Sequence, residues 1–243
     1  MTIELQHVKK NVRAGAVRVT YEDLNIRLGD GADVAFLAHS EAGIESVLNL
    51  LCAADAPDKG RIIRDHSISW SIPSTQYIQR HLSLAANARF LARLYEVDEK
   101  DYLARIAETG LDPFMNSRVD RVSGEIKTIF AFVAGVCLPF DRYIITKTGV
   151  GKKAFPDLAD RLLEDLRARA GLLLVTSQAK AAAKYCDQAY VFDQGTATFY
   201  DDMEAATEHF NSIQSKDKDK EGGAEDEEED DDSDLQNMMA LDF

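Results

Sequence analysis

The stretch AHSEAGIES, residues 38–46, follows a short apolar run and precedes a segment with apolar residues at helical spacing. A strand, a loop and a helix in this order present the phosphate-binding motif G-x-x-x-x-G-K-S/T, because N–H groups at the helix start attract anions. Of the motif, Gly43 and a hydroxyl at Ser46 remain, whereas Ile44 replaces the lysine and Glu45 the magnesium-binding hydroxyl. The loop therefore predicts a phosphate-binding scaffold without most of its phosphate-binding side chains.

The substitutions also change the charge of the loop. Ala38 replaces the first glycine of the motif, and Glu41 replaces the glycine two positions before Gly43. Like charges about 4 Å apart repel by ~1 to 4 kcal/mol at effective dielectric constants of 80 to 20. Since each 1.4 kcal/mol is about a tenfold change in affinity, we expect only weak binding of ATP with magnesium. Scattered histidines and cysteines indicate no metal site, and no other cofactor is predicted.

The elements that must position this loop alternate along the chain. The apolar runs VAFLA, RYIIT, GLLLVTS and AYVFD are typical of buried strands, and helical patterns separate them. This alternation predicts an α/β fold with a mostly parallel sheet. The runs TIELQHV and VRVTYEDLNIRL alternate apolar and polar residues, which predicts an N-terminal antiparallel β portion. A mostly helical stretch, about residues 80–137, reads as an inserted subdomain within a single fold that covers residues 1–212.

The last part of the chain has a different composition. The net charge is -14, and residues 213–243 hold 3 Lys against 13 Asp and Glu, so this segment accounts for -10 of it. We expect residues 213–234 to be a disordered acidic linker, because such a segment buries too little apolar area to offset its ordering entropy. Residues 235–243, LQNMMALDF, form a short apolar peptide that is a candidate for docking on another protein. The acidic balance disfavours nucleic acid as a partner.

Beyond the order of elements, several stretches carry a family resemblance. NARFLARLYEVD, FDRYIIT and LLLVTSQAKAAAKYCDQAYVFDQGTATFYDDMEAA resemble the ATP-binding subunits of ABC transporters, in particular those that energise export of capsular and other cell-surface polysaccharides. The resemblance covers residues 1 to about 212. It implies a P-loop NTPase-like core, ATPase activity, a second ATP-binding subunit and a membrane permease as partners. It also implies a cytoplasmic chain, peripheral on the cytoplasmic face of the inner membrane.

Mapped residue by residue, the resemblance shows which functional positions have changed. The Asp that holds magnesium and the Glu that polarises water correspond to Thr146 and Lys147, and the switch histidine corresponds to Gln178. An Asp of the following turn corresponds to Lys152, and the aromatic residue that stacks on adenine has Val12 as its nearest counterpart. A lysine in place of the base cannot accept the proton of water. We therefore expect this chain alone to lack hydrolytic activity.

Two motifs of the family are retained at least in part. Ser123 and Gly124, in RVSGEIK, match the signature motif that one subunit donates to the ATP of its partner, although neighbouring positions differ. Gln79, in QYIQRHL, matches the magnesium-contacting glutamine of the loop that faces the membrane partner. These matches also have ordinary readings, since Gly43 and Gly124 could serve turns and Gln79 could be any surface glutamine. The order of segments along the whole chain, rather than any single residue, favours the family relationship.

The sequence leaves three functions open. The leading hypothesis is a catalytically degenerate ABC subunit, a pseudo-ATPase, that acts as an accessory or regulatory partner in cell-surface polysaccharide export. A second hypothesis is an adaptor or scaffold outside transport that works through its acidic tail and C-terminal peptide. The third is a weak ATP-binding transporter ATPase that works with unusual residues.

Overall fold

The computed structural model describes residues 2–14, 17–39 and 41–222. In chain order these residues form β1 (Ile3–Ala14), β2 (Val17–Leu28), β3 (Val34–Leu37), α1 (Glu41–Leu51), β4 (Lys59–Arg64), β5 (Ile68–Ile72), α2 (Leu84–Leu94), α3 (Glu99–Ile106), α4 (Gly124–Val136), β6 (Arg142–Ile145), α5 (Leu158–Arg167), β7 (Gly171–Thr176), α6 (Ala179–Ala182), β8 (Gln188–Asp193), β9 (Thr196–Tyr200) and α7 (Met203–Gly222). Short turns of other helical types connect α3 to α4.

A central sheet has the strand order β5-β6-β7-β3-β8-β9. Its strands run parallel except β9, which returns antiparallel to β8 as a hairpin. β3 is buried along its whole length, because alternate residues enter two different cores. Ala35 and Leu37 contact the core shared with α2 to α7, whereas Val34 and Phe36 contact the core shared with α1 and the N-terminal strands. Burial on both faces explains why this strand reads as a continuous apolar run.

The N-terminal strands form a separate antiparallel sheet in the order β2-β1-β4. Alternate side chains of β1 and β2, among them Ile3, Leu5 and Leu24, are buried against α1 and the central sheet. The pairing is irregular around His7, whose φ of 51° accompanies register shifts against both neighbouring strands. The predicted antiparallel β portion is therefore confirmed.

The segment between β5 and β6 is helical, as predicted. Each α-helix there begins at a side chain that accepts a hydrogen bond from the first turn, namely Ser83 for α2, Asp98 for α3 and Ser123 for α4. Such caps satisfy N–H groups that have no partner within the helix. α4 is buried along most of its length and supports the central sheet. None of the helices in the described ranges is long and apolar enough to cross a membrane.

Strand β5 was not anticipated from the sequence. Its stretch ISWSI is rich in serine, but Ser69 is fully buried because its hydroxyl has partners. The Ser69 Oγ donates a hydrogen bond to the Trp70 carbonyl at 2.8 Å and accepts one from the Ile144 N–H at 2.9 Å. These bonds let a polar residue lie within a paired strand at the edge of the sheet.

The end of the fold differs from the prediction. Residues from 213 onwards were expected to be disordered, yet α7 continues to Gly222. A helix extends more easily than it starts, and the buried side chains of Phe210 and Ile213 hold the preceding turns against the core. That prediction was wrong for residues 213–222. Residues 223–243, which include the rest of the predicted linker and the peptide 235–243, lie outside the described residues.

Candidate functional site

The degenerate phosphate loop lies in the middle of the central sheet. β3, which leads into it, pairs with β7 on one side and β8 on the other. The N–H of Ala38 donates to the Thr176 carbonyl at 3.3 Å, so the loop starts at the C-terminal edge of the parallel strands. Open α/β sheets bind ligands at this edge, outside the carboxyl ends of the strands. The backbone scaffold of a phosphate loop is therefore present.

The side chains of this loop do not fit a nucleotide phosphate. Ile44, at the lysine position, is 5% exposed and packs in the core shared with α1 and the N-terminal strands. Gly43 lies close to β2, since a Cβ there would be 3.0 Å from the Tyr21 hydroxyl oxygen. Burial raises the pKa of Tyr21 to about 12, so this phenol is neutral at physiological pH. Glu45, near the start of α1, is exposed.

A cleft of about 570 Å³ opens beside the loop. Residues from four strand ends line it: Ala38, His39, Ile44, Glu45, Leu48, Ser71, Pro73, Thr146, Lys147, Val175, Thr176, Ser177 and Gln178. The structure thus brings together Ile44, Glu45, Thr146, Lys147 and Gln178, which the sequence singled out separately. It places a carboxylate on the loop side and an ammonium on the strand-end side of the same space.

The end of β6 holds Thr146 and Lys147, which correspond to the Asp and Glu of the family. The Thr146 N–H and hydroxyl both donate to the Ile72 carbonyl, at 2.8 and 3.2 Å, so this hydroxyl serves the backbone. Lys147 is exposed beside it. Across the cleft, the Gln178 N–H donates to the Thr176 hydroxyl at 3.0 Å. Among the described residues no group of His, Cys, Asp and Glu side chains could hold a metal ion.

Gln79 lies outside this cleft. Its N–H donates to the Asn87 side-chain oxygen at 2.7 Å, and its carbonyl accepts from the Asn87 amide at 3.1 Å. The buried Asn87 side chain thereby fastens the loop after β5 to α2. The structure therefore places Gln79 where the central sheet meets the helical segment, and it does not bring the side chain to the degenerate loop.

Ser123 and Gly124 form the N-terminus of α4. The Ser123 hydroxyl accepts a hydrogen bond from the Ile126 N–H at 3.2 Å, which makes it the helix cap. A Cβ on Gly124 would meet no atom within 4 Å, so its surroundings are open. Neither residue lines the cleft of its own chain. Their role towards a second subunit stays a prediction.

Sequence reasoning missed a contact between the loop and the C-terminal helix. The His39 ring stacks on the Phe210 ring with centroids 3.9 Å apart and planes 9° apart. Ile213 of the same helix lines a second cavity beside Gly43 and Ile44. The apolar spacing of α7 predicted a helix, but no local pattern indicated that its buried face would cover the loop.

A groove in front of α2 is lined by aromatic and aliphatic side chains. It encloses about 400 Å³, and Trp70, Tyr77, Tyr95, Phe90 and Leu94 contribute apolar surface to it. Phe90 and Leu94 are 55% and 59% exposed, although both are large and apolar. Exposed apolar side chains gathered on one surface are typical of an interaction site.

Comparison with solved structures identifies the class of protein. One structure described as the ATP-binding subunit of an ABC transporter superposes with a TM-score of 0.72 over 87% of this chain and 94% of that one, at 22% identity. A dimeric ATP-binding cassette in a post-hydrolysis state with ADP and phosphate gives a TM-score of 0.68 at 16% identity, covering 82% of this chain and 97% of that one. The fold is that of an ABC ATP-binding domain, which confirms the predicted fold class.

Sequence relatives identify the family. The capsule polysaccharide export ATP-binding protein CtrD of Neisseria meningitidis is 30% identical over 216 residues, covering 87% of this chain and 99% of that protein. The ATP-binding protein BexA of Haemophilus influenzae is 28% identical, covering 81% and 92%, and the polysialic acid transport ATP-binding protein KpsT of Escherichia coli is 26% identical, covering 88% and 99%. A comparison with protein-family models finds no match. The chain belongs to the family of ABC ATP-binding proteins of capsular polysaccharide export.

Proposed function

We propose that this chain is a catalytically degenerate ABC subunit, a pseudo-ATPase, that acts as an accessory or regulatory partner in cell-surface polysaccharide export. The observation that carries the proposal is the reversed charge of the cleft. Glu45 stands on the side where phosphate must bind, and Lys147 stands where a base must accept a proton. ATP hydrolysis needs the opposite arrangement of charges.

Each change acts on a separate requirement of the reaction. A carboxylate at Glu45 repels polyphosphate, and the buried Ile44 offers no cation to offset it. Thr146 is a neutral hydroxyl that donates to the Ile72 carbonyl, so it supplies no negative charge where a carboxylate would bind magnesium. Lys147 as an ammonium is a donor only. Because the changes are independent, replacing one of them would not restore hydrolysis.

A partner on the membrane follows from the family. The names of CtrD and KpsT describe ATP-binding proteins of export and transport. We propose that this chain lies on the cytoplasmic face of the inner membrane and docks on an ABC permease, pairing there with a competent ATP-binding subunit. The groove that contains Phe90 and Leu94 suits such a partner, because burying exposed apolar side chains favours association.

Two measurements test the proposal. Phosphate release by the purified full-length chain with ATP and magnesium should not exceed that of a mock preparation. Co-purification with the candidate permease should fall when Phe90 and Leu94 are changed to Asp. Phe199→Asp is the matched control, since Phe199 is 47% exposed but lies on β9, outside the groove. Steady phosphate release above the mock would favour the weak ATPase instead.

The adaptor function remains the second candidate from the sequence. It rests on the acidic segment and the peptide LQNMMALDF. Deletion of residues 223–243 separates the two functions. An adaptor would lose its main partner on deletion, whereas a transporter subunit would keep its contact with the permease and lose it only with the Phe90 and Leu94 variants.

A further inference from the structure

A second loop at the same edge of the sheet carries glycine and lysine. The stretch TKTGVGKK, residues 146–153, directly follows β6, the strand two places from β3 in the sheet. Its core, Gly149-Val150-Gly151-Lys152, has the glycine and lysine spacing with which phosphate loops end. The loop after β3 has lost its lysine, while the loop after β6 holds three.

The inner side of this second loop packs against the core and α4. Val150 is 2% exposed, and Gly151 adopts a φ of +72°, which favours glycine. A Cβ on Gly151 would lie 2.9 Å from the side chain of Ile129 in α4. The Gly151 carbonyl accepts a hydrogen bond from the Phe155 N–H at 2.8 Å. The inner side of the loop is therefore packed against α4.

Lysine side chains lie over the outer part of the loop. A Cβ on Gly149 would be 3.1 Å from Cε and 3.5 Å from Nζ of Lys152, so the ammonium of Lys152 lies directly over a glycine. Lys147 and Lys152 line one cavity of about 310 Å³. The same cavity is lined by the hydroxyl residues Thr146, Thr148 and Thr176 and by the amide of Gln178.

Some donors of this cavity are bonded within the chain, since the Thr146 hydroxyl donates to the Ile72 carbonyl and the Gln178 N–H to the Thr176 hydroxyl. Others have no partner among the described residues. Within the described part of the chain, no hydrogen bond engages the backbone N–H groups of Lys147, Thr148 and Gly149. No described carboxylate forms an ion pair with Lys147 or Lys152. Asp160 lies near Lys152 and its pKa is lowered, but chiefly by its hydrogen bond from Lys184 and only slightly by Lys152.

We propose that the loop 146–153 is a binding site for the phosphate groups of a small molecule, held without a divalent cation. Lysine ammonium groups and backbone N–H groups at glycines are the donors that bind phosphate oxygens. The two lysines supply the positive charge that magnesium would otherwise bring. Glu45, on the far wall of the adjoining cleft, orients the phosphate towards the loop after β6 by repulsion. This inference does not depend on the role in export.

The experiment is an isothermal calorimetric titration of the full-length protein with inorganic pyrophosphate in the presence of EDTA. We expect saturable binding that persists in EDTA. Lys147→Ala and Lys152→Ala should each weaken it by about tenfold, the effect of one lost charge-assisted contact. Lys153→Ala is the matched control, because Lys153 is exposed in the same loop but lines neither cavity. It should bind within about twofold of the parent chain.

A further variant tests the glycine. Gly149→Val places methyl groups where the Lys152 side chain lies, so it should weaken pyrophosphate binding while leaving the circular dichroism spectrum unchanged. The proposal is overturned by absence of binding in EDTA, by binding that requires magnesium, or by equal losses in the Lys152→Ala and Lys153→Ala variants. None of these outcomes bears on phosphate release from ATP or on co-purification with a permease, so the two proposals fail separately.

Discussion

The His39 ring lies flat on the ring of Phe210, 3.9 Å away, and joins the degenerate phosphate loop to the C-terminal helix. The His39 Nε2 atom also lies 3.3 Å from the Phe210 carbonyl oxygen. A histidine that follows the first position of the loop is thus committed to an intramolecular contact. The loop is covered on this side by the chain's own helix.

Replacing Phe210 with Ala tests how strongly α7 holds the loop. Phe210 is 2% exposed, so its loss should lower the free energy of unfolding by about 3 to 5 kcal/mol. Chemical denaturation provides the measurement. Phe199→Ala, at a residue that is 47% exposed, is the control and should cost less than about 1 kcal/mol. Equal effects of the two changes would show that the stack contributes nothing.

Removing the carboxylate from the loop should improve nucleotide binding without producing an enzyme. In Glu45→Ser the repulsion of polyphosphate is relieved, and we expect affinity for ATP with magnesium to rise by about tenfold. Hydrolysis should stay at the mock level, because Lys147 still occupies the place of the base. Binding and phosphate release are measured on the same sample. Glu164→Ser, an exposed change on α5, should alter neither quantity.

Gly171→Ala should lower the free energy of unfolding, because the added methyl group would meet the buried guanidinium of Arg142. The Arg142 guanidinium is 1% exposed, and a Cβ on Gly171 would lie 2.8 Å from its central carbon. Overpacking of this kind costs about 1 to 3 kcal/mol. Gly124→Ala, where nothing lies within 4 Å, should be neutral or slightly stabilising. Thermal unfolding of the two variants should therefore shift the midpoint in different directions or by clearly different amounts.

Acid stability should depend on Asp141. Hydrogen bonds from the Ser67 hydroxyl and N–H, at 2.7 and 2.8 Å, hold the pKa of this carboxyl below its usual value. A lowered folded-state pKa gives stability that is present above the unfolded pKa of about 3.9 and is lost as the pH falls further. Asp141→Asn should flatten the loss of stability below about pH 4. An unchanged acid limb in urea titrations between about pH 2 and 5 would contradict this.

The cap at Ser123 separates folding from a role in a second subunit. Ser123→Ala should destabilise the protein by about 1 kcal/mol, because the Ile126 N–H loses its acceptor. Ser123→Asp keeps a cap and should retain the stability of the parent chain. If both variants lower phosphate release by a competent partner subunit in a reconstituted complex, the hydroxyl itself contributes to the site between the subunits. Loss with Ala alone would assign the effect to folding.

The sequence by itself determined the order of elements and the residue types at the positions where the family has catalytic residues. Continuous apolar runs such as that of β3 predict buried strands, because both faces of a parallel sheet are covered. The sequence alone shows Ile44 at the lysine position of the phosphate loop and Lys147 at the position of the base, because these are differences in residue type. The family followed from the same local patterns.

Tertiary structure decided which of these residues meet. Glu45 and Lys147 are far apart in sequence, and only the parallel pairing of the strands places them on one cleft. Gln79 stayed outside that cleft because its backbone is bound to Asn87, a partner that no local pattern indicates. The extension of α7 to Gly222 was likewise hidden, because composition predicts disorder while packing at Phe210 and Ile213 supplies the nucleus from which a helix extends.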